Sequence, residues 1–491
     1  MTLTAESMAP LMFAGLVVFL LIGFPVAFSL AALGLAFGVL GIQLGFFVPD
    51  FLASLPLRIF GIVSNDLLLA IPFFTFMGTI LERCGLAEDL LESMGQAFGG
   101  APGGLAYAVI IVGAILGAIT GTVAASVIAM GMIALPAMMR NGYDMKLSTG
   151  VIAASGTITQ LIPPSLVLVV LADQLGKSVG DMYAGAIGPS IVQTLLFLAF
   201  IFGVAIFKPE KMPPLPAEAR NLRGWALWKR VLWGIVPSLG LIFLVLGTIF
   251  MGLATPTEAG AMGAVGAMAL AAMRGRLTGP LVWQGMESTM RITSMVIFIL
   301  VGSSVFSLVF QGFDGALWIE HLLGNLPGGR IGFLIVVNLF IFVLAFFLDF
   351  FEIAFIVIPL LVPVVQKLGI DLVWFGVLLC VNIQTSYMHP PFGYALFYLR
   401  GIAPKEVKSR DIYLGAIPWV GLQILMVGLV IAFPNQITYF LDKEQVIDLD
   451  KVKIELEAPS VQPDAPAEGA GSADDDMQKQ IERSINSGAK K

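Results

Sequence analysis

The chain reads as an all-α polytopic membrane protein made of two inverted repeats, each with a re-entrant helical hairpin and a broken transmembrane helix. Three observations predict that class. Of 491 residues, 58% are apolar and 12% charged, against roughly 25% charged residues in a soluble domain. Between Leu11 and Met139 the few charged positions leave stretches longer than ~20 residues, enough to cross a ~30 Å hydrocarbon layer as helix. The two halves also share residues in register.

Hydrophobic runs and their breakers set the elements in order. Two helices cover Ser7 to Gly45, interrupted at Gly23, Phe24 and Pro25, and a third runs from Leu67 to Glu82. Gly104 to Met139 forms two short halves that meet at Thr120, Gly121 and Thr122, the first hairpin. Leu147 to Leu175, a broken helix, and Met182 to Phe207 complete the first half. A polar stretch rich in Pro and charge, Lys208 to Arg230, comes before Val231 to Gly252, Ala259 to Met273 and Ile292 to Phe310. The second hairpin covers Ile331 to Lys367, followed by the broken helix Leu372 to Leu399 and by Ile412 to Tyr439.

Ten identities relate the halves. At an offset of 227, Pro136, Gly142, Asp144, Pro163 and Pro164 match Pro363, Gly369, Asp371, Pro390 and Pro391. At an offset of 230, Asp181, Tyr183, Gly185, Ala186 and Ile187 match Asp411, Tyr413, Gly415, Ala416 and Ile417. The units are therefore 1–207 (hairpin about 104–139, broken helix about 147–175), a cytoplasmic linker 208–230, and 231–440 (hairpin about 331–367, broken helix about 372–399). An acidic tail, 441–491, has the composition of a disordered extension. If each hairpin enters and leaves on one side, each half crosses five times, and the odd number inverts the second half relative to the first.

Lys and Arg collect on the cytoplasmic side of membrane proteins. Placing Lys208 to Arg230 inside puts 16 bases on that side and leaves only Arg58, Lys177, Arg330 and Lys367 outside, with 7 more in the tail. The same sidedness results if either hairpin is read as two full crossings, so charge does not decide re-entrance. Met1 to Pro10 carries no Lys or Arg, so the first apolar helix is expected to be retained rather than cleaved.

Composition excludes several function classes. The net charge is −6, most of it in the tail, and no basic patch is available for nucleic acid. Cys84 and Cys380 are too few for a disulfide framework, and His321 and His389 too few for a His-rich metal site. Gly176, Lys177 and Ser178 imitate the end of a phosphate-binding loop, but position 171 is Leu where that loop needs Gly. An ATP-driven pump or an enzyme is thus disfavoured. A channel would need a pore-lining ring from several subunits, whereas paired broken helices within one chain argue for an enclosed site.

Backbone breaks at membrane depth are tolerated only against protein or a water-filled cavity. Four occur: the tip Thr120, Gly121, Thr122; the stretch Ser155 to Gln160 before Pro163, Pro164 and Ser165; the tip Asp349, Phe350, Phe351, Glu352; and Asn382 to Ser386 before His389, Pro390, Pro391, Phe392 and Gly393. Breaking a helix frees carbonyls, which suit a small hard cation, and amides, which suit an anion such as a carboxylate. Candidate substrate contacts are Gln160, Pro163, Pro164, Ser165, Pro390, Pro391, Phe392 and Gly393.

The Gly-X-X-Thr-Gly-Thr tip from Gly117, the run Ile162, Pro163, Pro164, Ser165, and the Gln-Thr step before Pro390, Pro391, Phe392, Gly393 resemble the large membrane subunit of tripartite ATP-independent periplasmic (TRAP) transporters. The resemblance covers residues 1 to about 435. It implies an elevator-type scaffold and transport domain, Na⁺-driven uptake of an organic acid, a soluble periplasmic substrate-binding protein, a small four-helix membrane subunit, and a place in the bacterial inner membrane. Carried over by position, the Na⁺ sites fall at Thr120, Gly121, Thr122, Gly156 and Thr157, and at Asp349, Gln384, Thr385 and Ser386. The chain departs from the family in its tip threonines, where many members have serines, and in Phe350 and Phe351 beside Asp349 and Glu352, so substrate preference does not carry across. A stand-alone carboxylate symporter of the same superfamily is the alternative.

Blander roles stand beside these. Thr120 and Thr122 also fit small-residue helix packing, the proline doublets simple kinks, and Asp349 a shallow position near water. His389 reads as a structural hydrogen-bonder, Glu258 as the cap of a scaffold helix, and Asp144 and Asp371 as caps of helix starts.

Overall fold

The computed structural model describes residues 4–121, 123–216, 218, 220, 224–324, 326–346, 348–390, 393–439 and 441, and every regular element among them is helical. In the first half α1 (Ala5–Ile22) and α2 (Val26–Gln43) are followed by α3 (Leu55–Val63), α4 (Ala70–Arg83) and α5 (Leu86–Phe98). The hairpin α6 (Gly104–Thr120) and α7 (Val123–Arg140) precedes α8 (Met145–Thr157), α9 (Leu166–Leu175) and α10 (Val179–Phe207). The second half repeats this succession. α11 (Gly224–Phe250), α12 (Pro256–Met273), α13 (Gly279–Gly312) and α14 (Gly315–Gly324) lead to a hairpin of α15 (Gly329–Leu344), α16 (Phe350–Glu352) and α17 (Ile358–Lys367). Then come α18 (Leu372–Ser386), α19 (Tyr394–Ile402), α20 (Ser409–Ala432) and the short α21 (Asn435–Thr438).

Among the described residues seven helices are long and apolar enough to cross a membrane, or up to nine if each bent pair is one span. That count includes the second arm of each hairpin, Val123–Arg140 and Phe350–Lys367. It passes over the broken helices, because their halves are only 13, 10, 15 and 9 residues long. Large apolar side chains such as Leu195, Phe243 and Phe298 point outward from the spanning helices. Lipid is the solvent that suits such a surface.

Five elements differ from the hydrophobic runs. α13 begins at Gly279 rather than Ile292, capped by Thr278. Its polar first turns are held by the Arg291–Glu287 ion pair (2.6 Å) and by Arg83 donating to Gln284 (2.6 Å), so they need no hydrocarbon around them. α11 starts at Gly224 inside the expected linker. α3, α5 and α14 lie between the expected spans; α5 is amphipathic, burying Leu86, Leu90, Leu91 and Met94 while Glu88, Asp89 and Glu92 stay at its polar side. The tail segment 442–491 lies outside the described residues.

Contacts between loops respect the charge-based sidedness. Lys211 pairs with Asp144, Arg230 with Glu92 and Arg274 with Asp89, all segments assigned to the cytoplasmic face. Asn65 donates to Asp173 (2.9 Å), Thr257 to the carbonyl of Asp66 (2.8 Å), and Lys367 pairs with Glu320, all assigned outside. The expected caps are present: Asp144 accepts from the amides of Lys146 and Leu147, Asp371 from Trp374, and Thr255 with Glu258 forms a capping box at α12.

Packing registers tie the halves together. α6 runs alongside α8, with Gly113 against Ser155 and Gly117 against Thr159; α15 runs alongside α18 in the same way, with Phe333 beside Phe375 and Asn382 donating to the carbonyl of Asn338 (2.8 Å). α20 runs in the same direction as α8, since Asp411 meets Thr149, Gly415 meets Gly150 and Gln423 meets Thr157. It runs against α18, since Val430 meets Trp374 and Gln423 meets Met388. α8 and α18 therefore point in opposite directions.

Candidate functional site

The two broken helices meet each other. α8 ends at Thr157, a tight turn covers Ile158–Gln160, and the chain then passes Pro163 and Pro164, joined by a cis bond, to α9. Proline cannot continue the amide ladder, so Ser165 takes over as cap: its hydroxyl accepts from Val167 (3.2 Å) and donates to the Gln160 carbonyl (2.6 Å). α18 ends at Ser386; Tyr387 to Pro390 turn, and α19 begins after Gly393, whose amide bonds the His389 carbonyl (3.0 Å).

Side chains cross between the halves at this level. Thr157, fully buried, gives its hydroxyl to the Ala154 carbonyl (3.0 Å), accepts from Gln423 Nε2 (3.0 Å), and lies 3.4 Å from the Met388 sulfur. The Gln160 side chain lies near the Tyr387 hydroxyl, which accepts from the amide of Phe350 (3.3 Å) at the second hairpin tip. One tyrosine thus joins the second broken helix to the second hairpin, beside the first broken helix.

The first hairpin closes on the first broken helix. A side chain at Gly117 would sit 2.8 Å from Thr159 Cα, and one at Gly156 2.2 Å from Val127 Cγ2. Gly121 turns the tip with φ +64°, a conformation that glycine adopts without steric penalty, and faces the first amide of α9 at Leu166. Thr120 ends α6, while Thr122, Pro391 and Phe392 lie outside the described residues.

At the second tip, Asp349 caps α16: its carboxylate accepts from the Glu352 amide (3.0 Å) and Glu352 returns a bond to the Asp349 amide (2.9 Å). The turn falls just before Asp349, so Phe350, Phe351 and Glu352 are already helical. The hydrogen bonds of Asp349 stay in its own turn and do not join it to Gln384, Thr385 or Ser386. Thr385 donates to the Asn382 carbonyl (2.6 Å), whereas the Gln384 amide and the Ser386 hydroxyl, both buried, make no hydrogen bond to protein. His389 is stacked on Phe346 at 3.6 Å between ring centres, edge-on to Phe342.

Gln423, Tyr387 and Met388 belong to this junction and escape a motif search. Gln423 could have been noticed as the one amide side chain in an apolar helix, matching Gln193 at the offset of 230. Among the described residues no three His, Cys, Asp or Glu side chains gather as a metal cluster. The donors are hydroxyl, amide and main-chain oxygens, the kind that suits a hard cation rather than zinc or copper. A cavity of about 610 Å³ opens elsewhere, at the base of the first hairpin beside Glu92, Arg140 and Asn141.

Residues 13–436 match the family model of the tripartite ATP-independent periplasmic transporter, DctM component. The chain belongs to that family. It is 33% identical over 403 residues to the C4-dicarboxylate TRAP transporter large permease protein of Pseudomonas aeruginosa, covering 82% of this chain and 91% of that one. To the sialic acid TRAP transporter large permease protein of Vibrio cholerae it is 26% identical over 418 residues, covering 84% and 93%. Among solved structures, the YdaH transporter of Alcanivorax borkumensis shares the fold with a TM-score of 0.52 at 15% identity, covering 78% of this chain and 87% of that one. As a TRAP large permease the chain is a multi-pass protein of the inner membrane.

Proposed function

We propose that this permease is the translocating subunit of a Na⁺-coupled importer of a small organic acid. The carboxylate arrives on a soluble periplasmic binding protein, and a small four-helix membrane subunit completes the assembly. The observation that carries this reading is the meeting of two oppositely directed, interrupted helices at Thr157, Met388, Tyr387 and Gln160. At such a junction α8 and α18 present their carbonyl ends and α9 its amide start, one pole for a cation and one for a carboxylate. Spanning helices interrupted at matching places in two inverted halves are the architecture of secondary transporters.

In this reading Na⁺ binds near Gly121, Gly156 and Thr157, and again near Gln384, Thr385 and Ser386. The carboxylate sits between the Gln160–Ser165 and Pro390–Gly393 segments. Two cations before an anion lower the cost of bringing its charge into the membrane. The hairpins and broken helices then move together against α1 to α4 and α11 to α13, an elevator-type exchange of access. The C4-dicarboxylate and sialic acid relatives support an organic-acid substrate.

Uptake into proteoliposomes that contain the permease and its small subunit tests this directly. With a loaded binding protein outside, an inward Na⁺ gradient is expected to drive accumulation, and a proton gradient without Na⁺ is not. Equal uptake on protons alone overturns the cation assignment, and full uptake without binding protein overturns the delivery step.

A further inference from the structure

The packing of α20 on α8 recurs between α10 and α18. Gly415 lies against Lys146 and against Gly150, which it meets backbone to backbone. Moved to the other half, Gly415 back by 230 and Lys146 and Gly150 forward by 227, those residues become Gly185, Val373 and Val377, and Gly185 does lie against Val373 and Val377. Asp411 meets Thr149 through a hydrogen bond, and Gly376, the counterpart of Thr149, meets Met182, the residue next to the Asp411 counterpart Asp181. Two turns further on, Gln423 donates to Thr157. The counterparts of that pair are Gln193 and Gln384.

Gln193 and Gln384 are both fully buried, and neither side-chain amide has a hydrogen-bond partner at its oxygen or its nitrogen. Most buried polar side-chain atoms in proteins are paired, so two such orphans on facing helices call for an occupant. Ser386, one turn-side neighbour of Gln384, has an unpartnered buried hydroxyl as well. Carbonyl and hydroxyl oxygens of this kind satisfy a small monovalent cation without a carboxylate. We infer that Gln193 is a binding residue of the second Na⁺ site: its amide oxygen and that of Gln384 face the same cation, while Gln423 orients the Thr157 hydroxyl at the first.

The inference rests on the Na⁺-coupled reading above, and thermal unfolding of the purified permease with its small subunit, titrated with NaCl or KCl, separates the two. The wild type is expected to gain stability with Na⁺ and not with K⁺. Gln193→Met should melt no lower than wild type in KCl, because an apolar side chain of similar shape replaces an unpartnered amide. The same variant should need about 5-fold more Na⁺ for half its stabilisation, the effect of one lost ligand. Adding Gln384→Met should raise the half-point further, by a factor that differs from the product of the two single shifts because both act at one site. A variant that melts lower in KCl but keeps the wild-type Na⁺ half-point shows a packing residue and overturns the inference while the coupling reading stands. If Gln193→Met does not fold, Gln193→Asn, which withdraws the amide by one methylene, is expected to raise the half-point, and an unchanged value overturns the inference. A wild type indifferent to Na⁺ removes both.

Discussion

Thr157 and Gln423 lie 266 positions apart in the chain and share a hydrogen bond of 3.0 Å. The bond joins the end of α8 in the first half to α20 in the second, next to the Met388 sulfur. It holds the Thr157 hydroxyl in one rotamer with a lone pair to spare. Interhelical hydrogen bonds in membranes contribute about 0.6 kcal/mol on average and at most about 1.7, so its value lies in geometry more than in stability.

Thr157→Val keeps the shape and removes the oxygen. Uptake in proteoliposomes should then need several-fold more Na⁺ for its half-maximal rate, about 5-fold for the loss of ~1 kcal/mol. Expression should stay near wild type and the melting temperature in K⁺ should fall modestly, because the buried Gln423 amide keeps only the Met388 sulfur as acceptor. An unchanged Na⁺ dependence would move the first cation site away from α8.

Gly415 and Gly150 set how closely α8 and α20 approach. A Cβ on Gly415 would sit 2.2 Å from the Lys146 carbonyl oxygen and one on Gly150 2.3 Å from the Gly415 carbonyl oxygen, so backbone rather than a flexible side chain must yield. Gly415→Ala should destabilise the permease by about 1–3 kcal/mol, the usual cost of overpacking. Gly421→Ala, on the same helix with nothing within 4 Å of the added carbon, should be neutral. Unfolding in detergent compares the two, and equal melting points would contradict this packing.

Tyr387 ties the second hairpin to the second broken helix. Tyr387→Phe leaves the Phe350 amide without its acceptor, and an unpaired, largely buried donor costs about 1–3 kcal/mol. Hydrogen exchange should speed up at the tip around Phe350 while the core of α18 stays protected, and uptake should fall. Exchange at the tip unchanged by the mutation would mean that the hydroxyl does not hold the hairpin.

Much of this arrangement is legible in the sequence, for identifiable reasons. Proline doublets, the Gly121 tip and the capping aspartates Asp144 and Asp371 are local signals, and each marks a break or an end that lies where the chain chemistry requires it. The inner and outer loops could be sorted because Lys and Arg avoid crossing a bilayer. The partners of Thr157 could not be read, since Gln423 and Met388 are far away in sequence and only packing brings them near. The amphipathic helix α5 escaped because a search for continuous apolar runs ignores a segment that is polar on one side, and α14 because its 10 residues are too few for a span. The start of α13 was missed for a related reason: its ion-paired first turns resemble a loop in hydropathy.

In the transport reading, matched segments of the two halves face opposite sides of the membrane. Lys177, between α9 and α10, and Lys405, between α19 and α20, occupy corresponding loops, and the native thiols Cys84 and Cys380 are buried. Single cysteines introduced as Lys177→Cys and Lys405→Cys can be treated in intact spheroplasts with a membrane-impermeant maleimide. Labelling at 177 at once, and at 405 only after the membrane is opened, is the predicted result. Labelling of both from the outside, or of neither, would contradict the inverted arrangement on which the transport reading depends.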